Sequence, residues 1–198
     1  MLDQEAIEAL LAFGLIAALL AALLERIVLV IPSYVLFVAM GQMLVDSLAD
    51  YPLLLVSASI GSTIGSFVWY GLGRYWGDDR SRRQVNRLQK WLPLLNTERY
   101  DQLSSKFSQN AGSILFIAQT IPGVRVFVSL PAGVKRVPLK IYSQSVFFGS
   151  SVWNGSLILM GALLNTIDME LIPLLLMGIS IILVGRFALL TRFRYRAG

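Results

Sequence analysis

The chain has 198 residues, of which 56% are hydrophobic and only 15% are charged, and its formal net charge is +5. Soluble domains carry about 25% charged residues, so this composition is typical of an integral membrane protein. The chain contains no histidine and no cysteine, which excludes imidazole bases, thiolate nucleophiles and the metal sites built from them. We therefore expect neither an enzyme nor a cofactor or metal. We assign the positive charge to cytoplasmic loops rather than to nucleic-acid binding.

Six hydrophobic runs follow one another along the chain. They cover residues 10–24, 27–45, 52–73, 116–133, 141–164 and 171–190. A membrane-spanning helix needs about 20 apolar residues, and the third, fifth and sixth runs reach this length. The first run follows an acidic flank instead of the basic flank of a secretory signal, so we predict a retained first span. The runs predict an all-α integral membrane protein, a helical bundle with residues 1–198 as a single transmembrane domain.

A long polar segment separates the third run from the fourth, over residues 74–110, and it is rich in arginine and lysine. The positive-inside rule places it in the cytoplasm. Over residues 78–110 apolar side chains recur at helical spacing, with Val85, Leu88 and Trp91 as one set, which predicts amphipathic helices. These helices lie either on the membrane surface or packed on the helical bundle. The basic tail "RFRYRAG" predicts a cytoplasmic C-terminus as well.

The fourth run, "FIAQTIPGVRVFVSLPAG", combines an apolar character with the helix breakers Pro122 and Gly123 and with a fixed charge on Arg125. It begins after the cytoplasmic segment and ends before a second basic cluster at Lys135. Both of its ends are therefore expected on the cytoplasmic side. We predict a re-entrant hairpin over residues 111–134, whose turn frees backbone groups that protein or a wet cavity must receive.

The second run is similar to the fourth. The stretches "IPSYVLFVAM" (31–40) and "IPGVRVFVSL" (121–130) share Ile, Pro, Phe and Val at four of ten positions. Broken hydrophobic segments at matching positions of two halves indicate an inverted repeat around a site near the membrane midplane. We predict a second re-entrant hairpin over residues 27–45, opposed to the first one. The alternative is a chance match, with the second run crossing the membrane.

Arg125 is the residue in the oily segments that most needs an explanation. A charge at bilayer depth costs about 2.5–3.5 kcal/mol on insertion scales, so it usually has a partner. A guanidinium can hold a phosphate through two parallel hydrogen bonds, and a half-helix that starts after Pro122 and Gly123 would add free N–H groups. The alternative is a structural ion pair between Arg125 and Glu25. The two interpretations are compatible, because a pair can open for a ligand.

Other polar and small residues lie inside the hydrophobic runs. Gln119 offers hydrogen bonds without charge, and Asn154 lies in the middle of the fifth run, where we expect it to bond to a neighbouring helix. Gly61 and Gly65 have the small-xxx-small spacing that allows helices to approach closely. We predict that these two glycines serve packing rather than ligand contact.

A combination of motifs points to a known family. It consists of Glu25, Ile31-Pro32-Ser33, Gly61, Gly65, Tyr70, Gly71, Gly73, Gly77, Phe116, Pro122, Arg125, Ala132-Gly133, Phe148-Gly149 and Trp153. In these residues the chain resembles the DedA family, also called the SNARE-associated or VTT-domain family, over about residues 25–160. The resemblance implies two opposed re-entrant hairpins and the movement of lipids between leaflets, as in polyprenyl-phosphate recycling or phospholipid scrambling.

The chain departs from the family pattern at three positions. The family often has acids at the positions of Tyr34 and Ser66 and a second arginine at the position of Gln119. Losing opposite charges together avoids orphaned charges in the membrane. The changes imply a divergent member with a reduced site, in which Glu25 and Arg125 remain, and they put proton coupling in question.

The leading hypothesis is a lipid transporter, a flippase or scramblase for a phosphate-bearing lipid such as a polyprenyl phosphate or a phospholipid. The alternatives are a secondary transporter of a small anion and a non-transporting, membrane-organising protein. We expect a multi-pass protein of the cell membrane whose partners are membrane lipids, and a homo-oligomer is compatible with the sequence. The candidate substrate-binding residues are Arg125, Glu25, Gln119, Pro122, Gly123, Pro32, Ser33, Tyr34, Ser66, Tyr70, Trp153 and Asn154.

Overall fold

The computed structural model describes residues 4–28, 32–45, 47, 49–88, 97–122 and 124–165. Within these ranges the regular elements are helices, and no strand occurs among them, as the sequence predicts. The helices are α1 (Gln4–Ile27), α2 (Ser33–Leu44), α3 (Asp50–Leu88), α4 (Thr97–Gln119), α5 (Val124–Phe127), α6 (Ser129–Val134) and α7 (Leu139–Asn165). The sixth hydrophobic run and the basic C-terminal tail lie outside the described residues.

Two of the helices are long and apolar enough to cross a membrane, over Asp50–Arg87 and Leu139–Leu164. They correspond to the third and fifth hydrophobic runs. The first of them bends at Gly77, where φ is +70° and ψ is −175°. Glycine adopts a positive φ without the steric penalty that a Cβ brings. The bend therefore separates the apolar part of α3 from its polar end.

The polar end of α3 packs against the start of α4. The Tyr100 hydroxyl donates a hydrogen bond of 2.8 Å to Asp78, and Arg82 pairs with both Asp78 and Asp101. Burial and the contact with Asp78 raise the pKa of Tyr100 above its ordinary value, so its hydroxyl stays protonated at neutral pH. Val85 and Tyr100 form a buried apolar cluster with Leu130 of α6. This part of the amphipathic segment is therefore packed on the bundle, the second of the two placements left open by the sequence.

Residues 111–134 form a helical hairpin, which we call the α4–α6 hairpin. Its first leg is the end of α4, after a break at Asn110 (φ −155°, ψ 79°). The chain turns after Gln119, and α5 and α6 form the second leg. At 1.5 Å per residue the legs are roughly 14 and 17 Å long, about half of a 30 Å hydrocarbon core. Pro122 lies in this turn, as predicted, and Gly123 lies outside the described residues.

Glycines bring the short helices into backbone contact with the long ones. A Cβ on Gly41 of α2 would lie 2.0 Å from the Ile158 carbonyl oxygen of α7, and a Cβ on Gly161 of α7 would lie 2.1 Å from the Val38 carbonyl oxygen of α2. Since real Cβ atoms do not come closer than about 3 Å to such atoms, only glycine fits at either position. Helix α2 therefore packs on α7 through reciprocal glycines.

Helix α6 packs on α3 in the same way. A Cβ on Gly73 would lie 2.1 Å from the Leu130 carbonyl oxygen, and a Cβ on Gly133 would lie 2.0 Å from the Tyr70 carbonyl oxygen. Helix α2 thus packs on α7, which follows α6 in the chain, and α6 packs on α3, which follows α2.

The end of α1 packs along α3 through a further pair of glycines. A Cβ on Gly61 or Gly65 would meet the carbonyl oxygens of Leu19 and Leu23 at 2.1 and 2.5 Å. The prediction that these two glycines serve helix packing is confirmed.

We predict that Gly73→Ala lowers the free energy of unfolding by about 1–3 kcal/mol, because the new Cβ overpacks the contact with α6. Gly71→Ala is the matched control, since Gly71 lies in the same helix and a Cβ there has no atom within 4 Å. This control should be neutral or stabilising by up to about 1 kcal/mol, the helix propensity of alanine over glycine. Thermal unfolding of both variants in one mild detergent measures the difference. Equal melting temperatures would contradict the close α3–α6 contact.

Candidate functional site

A cluster of charged side chains lies buried where the end of α1 meets α5 and α7. Its charged members are Glu25, Arg26 and Arg125, which are only 3%, 1% and 1% exposed. Glu25 Oε2 lies 3.6 Å from Arg125 Nη2 and 3.7 Å from Arg26 Nε. Both distances exceed the usual 2.7–3.2 Å of a hydrogen bond. The carboxylate is therefore shared loosely between two guanidinium groups, and the three side chains carry a formal charge of +1.

Arg125 is held in place by neutral groups as well. Its Nη2 donates to Asn154 Oδ1 at 3.3 Å, and Asn154 Nδ2 donates to Ser62 Oγ at 3.0 Å. The rings of Phe37 and Trp153 lie 5.8 and 5.3 Å from the guanidinium carbon, within the range of cation–π attraction. The pair between Arg125 and Glu25, and the bond of Asn154 to a neighbouring helix, are both as predicted.

Arg26 was not among the candidate residues, because the sequence analysis did not weigh the adjacent charge beside Glu25. Its Nη1 donates to the backbone carbonyl of Arg125 at 3.1 Å, and its Nη2 donates to Ser150 Oγ at 2.7 Å. Arg26 thus ties α1 to both α5 and α7. A signal was available: two adjacent charges end an otherwise uncharged hydrophobic run, and the cost of burying them applies to both.

Several polar atoms around the cluster are buried without a hydrogen-bond partner among the described residues. The nitrogen atoms are Arg26 Nε, Arg125 Nε, Arg125 Nη1, Gln119 Nε2 and Trp153 Nε1, and the oxygens are Glu25 Oε2 and Gln119 Oε1. Gln119 packs against Gly149, the neighbour of Ser150, through its Cβ and Cγ atoms. Such unpartnered groups usually have partners in native proteins. The excess of donors over acceptors means that the cluster suits a ligand rich in acceptor oxygens.

The structure does not bring every candidate residue to this cluster. Ser66 and Tyr70 belong to a neighbouring network: the Tyr142 hydroxyl lies 3.0 Å from the Ser66 carbonyl oxygen and 2.9 Å from Ser66 Oγ, and the Tyr70 hydroxyl donates to the Val137 carbonyl at 2.6 Å. Tyr142 in turn lies close enough to Arg26 for an electrostatic interaction. Four candidate residues beside the two chain turns have no contact with Arg125 among the described interactions. Pro32, Ser33 and Tyr34 are half-buried, and Pro122 is exposed.

The regular elements of the described residues are all helices, and two of these helices are apolar enough to cross a membrane, which is consistent with a helical membrane protein. The VTT domain model matches residues 31–163, and the chain belongs to this family. The resemblance stated from the sequence is thereby confirmed. No solved structure matches the chain.

Among the curated relatives are proteins named as transporters and proteins named as phosphatase-like. Undecaprenyl phosphate transporter A of Staphylococcus aureus is 29% identical over 83% of this chain and 80% of its own. The protein of the same name from Bacillus subtilis is 29% identical over 55% of this chain and 52% of its own. An alkaline phosphatase-like protein of Lactococcus lactis subsp. cremoris is 29% identical over 77% of this chain and 72% of its own.

We predict that Glu25→Gln destabilises the protein by about 3–5 kcal/mol, because it leaves two buried guanidinium groups without a counter-charge. The double variant Glu25→Gln/Arg125→Gln should be more stable than the sum of the single effects predicts, with a coupling energy of about 0.5–3 kcal/mol. Unfolding free energies of the four proteins in mixed micelles measure this cycle. The matched control is the half-exposed pair Arg82 and Asp101, whose neutralisation should give a coupling below about 1 kcal/mol. Additive effects at Glu25 and Arg125 would show that the pair is not energetically linked.

Proposed function

We propose that this protein transports a phosphate-bearing lipid, such as a polyprenyl phosphate, between the leaflets of the cell membrane, and that Arg125 binds the phosphate. The observation that carries the proposal is the buried guanidinium of Arg125, whose Nε and Nη1 have no hydrogen-bond partner among the described residues. A phosphate can accept from either of these N–H groups together with Nη2, in the parallel geometry by which guanidinium groups hold phosphates. The names of the two transporter relatives support a lipid-linked phosphate as the cargo.

The charge balance of the pocket suggests how cargo enters. Glu25 neutralises one of the two arginines in the ligand-free protein, at distances longer than hydrogen bonds. The phosphate takes the place of the carboxylate beside Arg125, while the hydrocarbon chain stays in the bilayer. Large apolar side chains exposed on α1, α3 and α7 supply the lipid-facing surface this requires; examples are Leu20, Val68 and Phe148.

We propose that the protein is a carrier and not an enzyme, although a relative has a phosphatase-like name. The chain has no histidine or cysteine, and the described residues hold no group of three His, Cys, Asp or Glu side chains that could bind a metal. Hydrolysis of a phosphate ester commonly needs a nucleophile, a base or a metal ion. The buried cluster offers one carboxylate between two arginines, an arrangement suited to binding.

Two opposed re-entrant hairpins are part of the same proposal. One is the α4–α6 hairpin; the other is predicted over residues 27–45, directly after Glu25 and Arg26. The contacts of Glu25 and Arg26 with Arg125 support tips that meet inside the membrane.

An inverted repeat is supported by matching glycines on the long helices. Gly61 and Gly73 of α3 have the same spacing as Gly149 and Gly161 of α7. The first glycine of each pair faces a long helix of the same half, α1 for α3 and α4 for α7. The second glycine faces a short helix of the other half, α6 for α3 and α2 for α7.

We expect wild-type protein in liposomes to move a labelled polyprenyl phosphate between leaflets and Arg125→Gln to move it at least about tenfold more slowly. The reason is the loss of charge-assisted hydrogen bonds, each about 1.5–3 kcal/mol. Arg83→Gln, which removes an exposed arginine from the polar end of α3, is the matched control and should transport normally. Full transport activity of Arg125→Gln would show that Arg125 does not bind the phosphate. Uptake of inorganic phosphate without lipid movement would show that the protein is a small-anion transporter and not a lipid carrier.

The re-entrant path of residues 111–134 makes a labelling prediction that the cysteine-free chain allows. Asn110 and Lys135 flank the hairpin and are both exposed. We expect Asn110→Cys and Lys135→Cys to react with a membrane-impermeant maleimide from the same side as Arg83→Cys, the reference for the cytoplasmic face. Reaction of the two flanks from opposite sides would mean that the segment crosses the membrane.

A further inference from the structure

Arg26 carries a charge that its structural contacts do not require. Both of its hydrogen bonds go to neutral acceptors, the carbonyl of Arg125 and the hydroxyl of Ser150. A neutral amide could donate to such acceptors without the desolvation cost of a buried cation. Arg26 is 1% exposed, and its Nε has no hydrogen-bond partner among the described residues. A second buried guanidinium beside Arg125 therefore needs a reason other than holding the helices together.

The position of the Glu25 carboxylate supplies that reason. One oxygen, Oε2, lies 3.7 Å from Arg26 Nε and 3.6 Å from Arg125 Nη2, and it accepts no hydrogen bond from the residues that the structure describes. An anionic oxygen at this point therefore faces both guanidinium groups at once. A tetrahedral phosphate is larger than a carboxylate and presents oxygens in several directions, so it can close both gaps while the carboxylate cannot.

We infer that Arg26 is a second phosphate ligand, and that it makes the pocket prefer a phosphate monoester over a diester. This inference rests on the proposed function and narrows its cargo. When phosphate displaces Glu25, Arg26 and Arg125 present a charge of +2. A monoester carries about −2 above its second pKa of about 6, whereas a diester carries −1. A buried charge left without a partner is strongly unfavourable, so the monoester is the matching ligand.

The unpartnered donors agree with this charge count. Arg26 Nε, Arg125 Nε, Arg125 Nη1 and Gln119 Nε2 are buried without acceptors among the described residues. A monoester has three terminal oxygens and a diester has two. The monoester therefore satisfies more of these donors.

A matched pair of ligands tests the inference: farnesyl phosphate and its methyl ester, which share one prenyl chain and differ by one unit of charge. Dissociation constants are measured in detergent at pH 8 for wild type, Arg26→Gln, Arg26→Lys, Arg125→Gln and the control Arg83→Gln. We expect wild type and the control to prefer the monoester by about tenfold or more. Arg26→Gln should bring this ratio close to one by weakening the monoester, and Arg125→Gln should weaken both ligands.

Arg26→Lys keeps the buried charge, which favours folding, but loses the forked N–H geometry of a guanidinium. It should therefore weaken the monoester several-fold and leave the methyl ester unchanged, a pattern that a purely structural role of Arg26 does not produce. An unchanged ratio in the folded Arg26 variants, with both ligands still dependent on Arg125, would overturn the inference and leave the proposed function standing. Failure of the wild type to bind either ligand would overturn the proposed function itself.

Discussion

Three ionisable groups sealed from solvent constrain the rest of the fold. Glu25 and Arg26 end α1, whereas Arg125 lies in α5, 99 residues after Arg26 in the chain. Removing Glu25 would leave two positive charges in a medium that solvates them poorly. The end of α1, the turn of the α4–α6 hairpin and the middle of α7 are therefore obliged to meet. The helix breakers near Pro122 follow from the same constraint. A straight helix over residues 116–133 would have no reason to end at the depth where Glu25 and Asn154 lie, whereas the hairpin turn lets the short helix α5 begin there.

The scaffold around these charges relies on backbone contact rather than on large interlocking side chains. Apolar side chains gain little from packing on one another when lipid is the alternative neighbour, so close approach and dispersion have to hold the helices. Glycines at the crossings of α2 with α7 and of α6 with α3 meet this need, because each admits a carbonyl oxygen of the facing helix where a Cβ would clash. The crossings also join the two halves of the chain, since each short helix rests on the long helix of the other half. The polar end of α3 and the start of α4 then cover the back of α6 through Val85, Tyr100 and Leu130.

Much of this arrangement follows from elementary sequence patterns, and the exceptions have a common cause. Helix breakers in an apolar run predict the hairpin turn, and the cost of an unpaired charge predicts the contact of Arg125 with Glu25. Composition and run length do not show which way a side chain points at a helix end. Successive residues point about 100° apart on a helix, so the burial of both Glu25 and Arg26 requires that the end of α1 be enclosed on more than one side. That enclosure is a property of the assembled bundle, and for this reason Arg26 was missed. Ser66 and Tyr70 were assigned to the site on the resemblance to the family, but their bonds with Tyr142 and Val137 place them in a neighbouring network.

The hydrogen-bonded and the unpartnered polar atoms of the site have different roles. Contacts with Asn154, Ser150 and the backbone of α5 fix where the two guanidinium groups lie. Arg26 Nε and Arg125 Nη2 face Glu25 Oε2 at distances too long for hydrogen bonds, and Arg125 Nε and Nη1 have no hydrogen-bond partner among the described residues. A pocket in which every donor was satisfied would bind an anion only by breaking its own bonds, and a pocket with no counter-charge would not remain buried. The loosely shared carboxylate avoids both extremes: it lowers the charge of the cluster and has few bonds to lose if an anion displaces it. For a carrier this balance matters more than tight binding, because the same site must release its cargo on the opposite side of the membrane.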